Sequence, residues 1–365
     1  MSLLDRARLE VSGARDEHSR LIWRTQVGVY HARRGDKEAV AREVQELRTR
    51  SSPSEYTRAI AAANLIEGVE AFCEMHFSTS SDKLRRAIAM ANSIGEKSLL
   101  NWAEAWQCHV LYSSAKYADS AKLAAAVLEQ CAPDEHSAIS RAATTVAGAC
   151  HFFDGYSSAR PWYELARLHA VAQEDDLTID AILHGIAAFH LNKLRLMELS
   201  ETPDPEEIRR ASMELASSQN YDRMKAPASF RWMIPLQEIH LAMVEEEWQQ
   251  ALNQIEEWLS ALGASAPGRH GSILRADRAV CLARLGRADA AGAAIDGVLE
   301  QIAPDAESDD LAIIQFQCSR AAGLVGRDQQ STLLASRARD SMKRFEVERE
   351  LYRPAFLAIQ RPTAA

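Results

Sequence analysis

The sequence predicts an all-α chain, an α-solenoid of about seven to eight antiparallel helical hairpins, and three observations carry that expectation. Glu246, Gly286 and Gly326 stand 40 residues apart at breaks in helical patterning, and Ala251, Ala291 and Ser331 each follow a break by five. Around Gly286, Ile273, Ala276, Ala279, Val280 and Leu282 keep the mixed three-and-four spacing of an amphipathic helix, as do Ala291, Ala294, Ile295 and Val298 on the far side. Hydrophobic residues make up 47% of the 365 and charged residues 25%, enough apolar surface for a continuous core. One such hairpin cannot bury its apolar face alone, so a fixed period implies neighbours on both sides.

Each element follows in order. Residues 1–19 hold a short amphipathic segment, Leu3 to Val11, that caps the open end of the stack. The first hairpin pairs Arg20–Arg33 with Lys37–Arg48 across Gly35-Asp36, and Ser51-Ser52-Pro53-Ser54 ends it. The second runs from Glu55 to His76, where Ser78-Thr79-Ser80-Ser81-Asp82 reads as a polar turn with a helix N-cap, and resumes from Leu84 to Ser93. In the third, Trp102, Trp106, His109 and Tyr112 form one stripe before a turn at Ala115-Lys116-Tyr117. That stripe either packs on the neighbouring hairpin or lines a groove. The fourth passes through Phe152 and Phe153 to a turn at Asp154-Gly155-Tyr156, then a helix near Ala159–Ala172 with Pro161 in its first turn. The fifth pairs Leu177–Leu199 with Glu206–Ser218. In the sixth, Pro235 kinks or delays the first helix, and Trp248 and Trp258 share a face of the second. Two regular hairpins follow, parted by Ala303-Pro304-Asp305, so that repeats fill residues 20–334. Residues 335–365 add a charged capping helix, Ala335–Leu351, that Pro354 breaks before a short tail. The whole reads as one domain, 1–365.

The order of small residue, turn glycine and alanine five later, seen as Ala279, Gly286 and Ala291, resembles the tetratricopeptide repeat. Looser copies are Ile239, Glu246, Trp248 and Ala251, then Gly28, Gly35 and Val40, then Gly148 and Gly155 with Arg160 at the small position. The common repeat is about 34 residues, whereas the spacing here is nearer 40. That is similar to the longer, divergent repeats in the helical domains of MalT-like transcription activators and Rap-type peptide-responsive bacterial regulators. The resemblance implies a right-handed superhelix whose first helices line a concave face, and it speaks to fold more than to function. Members that clamp acidic chaperone tails present Lys and Asn on successive first helices. Here Thr25, Gln26 and Val29, with Met233, Gln237 and His240, occupy those places, so chaperone-tail binding is not expected.

Of the net charge of −9, residues 171–262 carry −10 and the remainder nearly balances. Such a run is a solvated face or an attraction for a basic partner, and it argues against direct nucleic-acid binding. Met1-Ser2-Leu3-Leu4-Asp5-Arg6 is charged too early for a secretory signal and no apolar run reaches membrane-spanning length, so a cytoplasmic protein is expected. The six cysteines, at 73, 108, 131, 150, 281 and 318, read as free buried thiols. Cys73 and His76 could share a helix face, but two ligands do not make a zinc site, and His184 and His190, six apart, point to different sides. No phosphate loop, His-Glu-x-x-His pair or nucleophile elbow is present, so no catalytic residue, metal or cofactor is expected. The expectation is a non-catalytic protein- or peptide-binding scaffold, regulatory in role, with groove residues Trp102, His109, Tyr112, Phe152, His240, Phe316 and Arg320. The alternative is a ligand- or peptide-responsive sensor that regulates a transcription or signalling partner. Exposed ends of the stack could also pair two copies into a homodimer.

Overall fold

Nine described residues have positive φ at helix ends, and seven of them, all but Gly95 and Glu174, keep one spacing. In the computed structural model Gly35, Met75, Ala115 and Gly155 have φ of 70°, 64°, 56° and 105° and lie 40 residues apart. Glu246, Gly286 and Gly326, at 60°, 75° and 77°, repeat the same interval. Six of the seven share one hydrogen-bond pattern, in which the left-handed residue and its successor donate back into the last helical turn. At Gly286 the bonds are Gly286 N–H to the Ala283 carbonyl (3.1 Å) and Arg287 N–H to Leu282 (2.9 Å). At Met75 they are Met75 N–H to Phe72 (2.9 Å) and His76 N–H to Ala71 (2.8 Å). Met75, Ala115 and Glu246 therefore hold the glycine conformation at a cost of about 1–2 kcal/mol each.

The structure describes residues 2–50, 52–53, 55–225, 233–262, 268–302 and 306–361, and among them it is all-α, with seventeen helices and no strand. They are α1 (Leu3–Gly13), α2 (Glu17–Arg34), α3 (Lys37–Arg50), α4 (Tyr56–Cys73), α5 (Phe77–Ser93), α6 (Lys97–Ser113), α7 (Tyr117–Gln130), α8 (His136–Phe153) and α9 (Tyr156–Ala172). There follow α10 (Asp176–Met197), α11 (Pro205–Lys225), α12 (Met233–Val244), α13 (Trp248–Leu262), α14 (Gly268–Arg284), α15 (Ala288–Gln301), α16 (Ser308–Leu324) and α17 (Asp328–Leu357). No described helix is long and apolar enough to cross a membrane.

The chain divides into two compact units. One comprises residues 1–185, 220–231 and 352–365, the other residues 186–219 and 232–351, so α10, α11 and α17 contribute residues to both. Within the first unit α2, α4, α6 and α8 pack in series, each also against the helix that follows it. Small residues permit the close approach. A Cβ on Gly68 would stand 2.8 Å from Leu84 Cγ, and one on Gly28 would meet Ile66 Cδ1. A hydroxyl then ties the two helices of a hairpin together. Ser80 Oγ donates to the Gly68 carbonyl (2.7 Å), Ser120 Oγ to Cys108 (2.8 Å) and, in the second unit, Ser331 Oγ to Ser319 (2.9 Å). In the second unit α14 packs on both α15 and α16, and Ala251, Ala279 and Ala291 are fully buried.

Several expectations need correction. Ser78–Asp82 is not a turn but the first part of α5, because the chain has already reversed at Met75 and Ser80 serves as the small residue five places on. Pro161 lies inside α9, beyond its first turn, and α11 runs on through Asn220 to Lys225. Pro354 does not break the last helix, which is continuous from Asp328 to Leu357 and passes through residues 334–335. Pro235 stands in the first turn of α12, where its missing N–H has no intrahelical partner to lose. The breaks expected at Ser51, Ser54 and Ala303-Pro304-Asp305 lie outside the described residues. All six cysteines are free, four of them buried.

Candidate functional site

Within the first unit a chamber of about 490 Å³ opens between α2, α6, α8 and the end of α9. Its wall is laid down by helix periodicity. Ile22, Thr25 and Gln26 share a face of α2, and Leu99 and Trp102 a face of α6. The segment from Gln130 to Ala138 closes the third side. Trp102 is 8% exposed and is the largest side chain in the wall.

Polar side chains hold the chamber open. Gln26 Nε2 donates to Ser137 Oγ (3.0 Å), and Ser137 in turn donates to Gln173 Oε1 (2.8 Å). Asn101 Nδ2 donates to both carboxylate oxygens of Glu135, at 3.2 and 3.0 Å. His136 and His169 meet Nδ1 to Nδ1 at 2.9 Å, one as donor and the other as acceptor. Burial, then the neighbouring His136, holds the His169 ring below the ordinary imidazole range.

Gln26, Trp102 and Ser137 also line a separate recess of about 10 Å³, walled further by Tyr30, Arg33, Trp106, Ser140, Arg141, Asp175 and Thr178. Two guanidinium groups face it, and they differ sharply in their partners. Arg33 donates twice to Asp175 (3.0 and 2.8 Å) and once to Thr178 Oγ1 (3.0 Å). Burial pushes the Asp175 carboxyl up, but Arg33 and Thr178 outweigh it and hold the group below the usual aspartate value. Arg141 is 4% exposed, its guanidinium lies over the Trp106 ring at 4.0 Å, and that guanidinium makes no hydrogen bond with the side chain or backbone of any described residue. Burial and the adjacent Arg33 cation bring its guanidinium down to about 9, still charged at neutral pH. A buried cation without an acceptor is costly. An anion that reached the recess would supply the missing acceptors, and Arg suits a planar carboxylate.

The residues expected to form the groove fall into separate places. Trp102 lines the chamber. His109 packs on Phe72 (5.0 Å between ring centroids) and Trp106 (6.2 Å), with Nδ1 2.9 Å from Thr145 Oγ1. Burial, then Arg141 and Arg33, lowers its imidazole well below the ordinary value, so it is neutral. Tyr112 joins an aromatic cluster with Tyr117 (5.6 Å) and Phe356 (6.5 Å), and Phe152 packs on Phe153 of the same cluster (5.0 Å). In the second unit Phe316 and Arg320 come together, the guanidinium 5.6 Å from the phenyl ring and 5.6 Å from Trp248, with Glu198 Oε2 3.4 Å away. His240 lies in the field of Arg195, and burial followed by that cation lowers its imidazole well below the usual range. Arg195 itself pairs at 2.5 Å with Asp277, the two being 1% and 0% exposed.

Sequence reasoning missed Arg141 as a site residue. Its signal is a lone arginine inside the apolar run Ala138, Ile139, Ala142, Ala143, Val146 of α8. Compared with protein-family models and with curated proteins, the chain matches none.

Proposed function

We propose that this chain is a non-catalytic, regulatory binding protein built as a right-handed, tetratricopeptide-like solenoid, and that its first unit receives a small carboxylate-bearing ligand, a short peptide's C-terminus being the fitting example. The stacked-hairpin reading is supported by the 40-residue turn spacing and by the serial packing of α2, α4, α6 and α8. One observation carries the functional reading: a chamber of about 490 Å³, walled by Trp102, adjoins across Gln26, Trp102 and Ser137 a recess of about 10 Å³ faced by the buried Arg141 guanidinium, so those side chains must yield for a carboxylate to reach it. That shape favours the sensor reading over the open scaffold, because a concave, half-open chamber of this size suits a small ligand or a peptide end better than a folded protein surface. Trp106 lines the recess and packs on Phe72 of α4 and under Arg141 of α8, so a ligand held there bears on the seams between α4, α6 and α8.

The test is a thermal-shift screen of short peptides offered in pairs, each with a free and an amidated C-terminus, together with simple aromatic carboxylic acids. Stabilisation by the free acid that vanishes with the amide and with Arg141→Met supports the reading. Equal stabilisation by acid and amide, or no response from any member, overturns it.

A further inference from the structure

The first unit carries a second set of polar groups, remote in role from the chamber. Asp180 and His184 lie one helical turn apart on α10, and Asp222 comes from the far end of α11. The three are 5%, 2% and 7% exposed. His184 Nε2 stands 3.4 Å from Asp180 Oδ1 and 3.3 Å from Asp222 Oδ2, and the three atoms lie within 4.8 Å of one another.

Hydrogen bonding does not account for this geometry. A charge-assisted N–H···O bond between imidazolium and carboxylate closes to about 2.7–2.9 Å. Here Asp180 Oδ1 and Asp222 Oδ2 have no hydrogen-bond partner, although both are out of reach of solvent. Two carboxylates facing one ring nitrogen in a buried site cannot both stay ionised without loss, so one must share a proton with its neighbour or take up a cation. Metal coordination accounts for the separations directly. Ligand bonds of about 2.0–2.2 Å in a tetrahedral site set neighbouring donor atoms about 3.4 Å apart, which is what Nε2 shows to each oxygen.

We infer that Asp180, His184 and Asp222 form a binding site for one divalent first-row transition metal ion, Zn²⁺ foremost. One imidazole and two carboxylates suit zinc and manganese in ligand type, and the nitrogen donor disfavours calcium and magnesium, which take oxygen ligands. Water completes the coordination. The ion cross-links α10 to the end of α11 and neutralises the two aspartates. The sequence holds half of the signal, since Asp180-x-x-x-His184 is a one-face pair on a helix. Asp222, 38 residues further on, is the half that only the fold supplies.

The experiment strips the full-length protein with a chelator and titrates it with Co²⁺ and then Zn²⁺, following visible absorption, bound metal per chain and melting temperature. The expected result is one equivalent of Co²⁺ with the intense d–d bands of a tetrahedral nitrogen–oxygen site, displaced by Zn²⁺, and a higher melting temperature. Asp222→Asn, isosteric and checked by circular dichroism for an unchanged fold, should weaken Zn²⁺ binding by about 10-fold or more, and Asp180→Asn should do the same. Failure of the wild-type protein to take up a stoichiometric metal overturns the inference. So does a thiolate charge-transfer band, which would place the ion on cysteine, and so does undiminished binding by both asparagine variants, which would place it on surface histidines.

Discussion

Replacing Gly68 by alanine tests the hairpin packing through its sign. Gly68 sits in the middle of α4, where alanine is intrinsically favoured over glycine by about 1 kcal/mol. The new methyl group would stand 2.8 Å from Leu84 Cγ, 2.9 Å from Leu84 Cδ2 and 3.4 Å from the Leu84 backbone nitrogen. Leu84 is fully buried and cannot swing away, so α4 and α5 must separate. Overpacking of that kind costs about 1–3 kcal/mol, and separation also stretches the Ser80–Gly68 hydrogen bond, worth about 1 kcal/mol. The net expectation for Gly68→Ala is a loss of about 1–3 kcal/mol. Gly297, inside α15, has no atom within 4 Å of where a Cβ would lie, so Gly297→Ala should gain about 0.5–1 kcal/mol. Urea unfolding followed by circular dichroism reads both as shifts in midpoint at constant slope. Stabilisation by Gly68→Ala, or one sign for both variants, would refute the close approach of paired helices.

Other outcomes follow from the same physics. Met75→Gly and Glu246→Gly relieve left-handed strain and should each raise stability by about 0.5–1 kcal/mol in the same assay. Asp277→Ala leaves the fully buried Arg195 without the carboxylate oxygen it holds at 2.5 Å and should cost about 3–5 kcal/mol, whereas Arg195→Met with Asp277→Leu should recover most of it. His109 is buried neutral, its folded imidazole lying below the ordinary 6.5 because of burial and the Arg141 and Arg33 cations. The unfolded state therefore binds the extra proton, and stability present above pH 6.5 is lost as pH falls toward the folded value. Melting temperature measured from pH 7.5 to 5 should fall less steeply in His109→Asn than in the wild type.

How much of this was legible in the sequence depends on which residues carry the signal. Glycine at 35, 155, 286 and 326 marks its turns openly, because glycine alone adopts positive φ freely. At Met75 the same turn is written in a residue with no such preference, and the serine-rich stretch after it imitates an N-cap, so the second hairpin was displaced by several residues. Pro354 was read as a helix breaker and Pro161 as a first-turn residue by local rule, yet tertiary packing of Phe356 on Tyr112 and Phe153, and of Ala159 and Trp162 in the core, carries both helices through. At the candidate site, Trp102 was visible as an aromatic on a helical stripe. Arg141 was not, since nothing local distinguishes an arginine that lacks a partner from one that has found it 30 or 140 residues away, as Arg33 finds Asp175. The acidity of residues 171–262 is similarly ambiguous in sequence. The fold spends part of it internally, on Arg33 through Asp175, on His190 through Glu207 and Glu214, and on Arg320 through Glu198.

The central claim, that the chamber of the first unit binds a carboxylate through Arg141, is tested most directly by calorimetric titration of the tightest free-acid peptide into three variants beside the wild type. Arg141→Met should weaken binding by about 30-fold or more, the worth of a charge-assisted bond in a buried site. Trp102→Ala should weaken it by about 10-fold through lost apolar contact, and Arg320→Ala in the second unit should leave it unchanged. Wild-type affinity in Arg141→Met, or loss of binding in Arg320→Ala alone, would contradict the account.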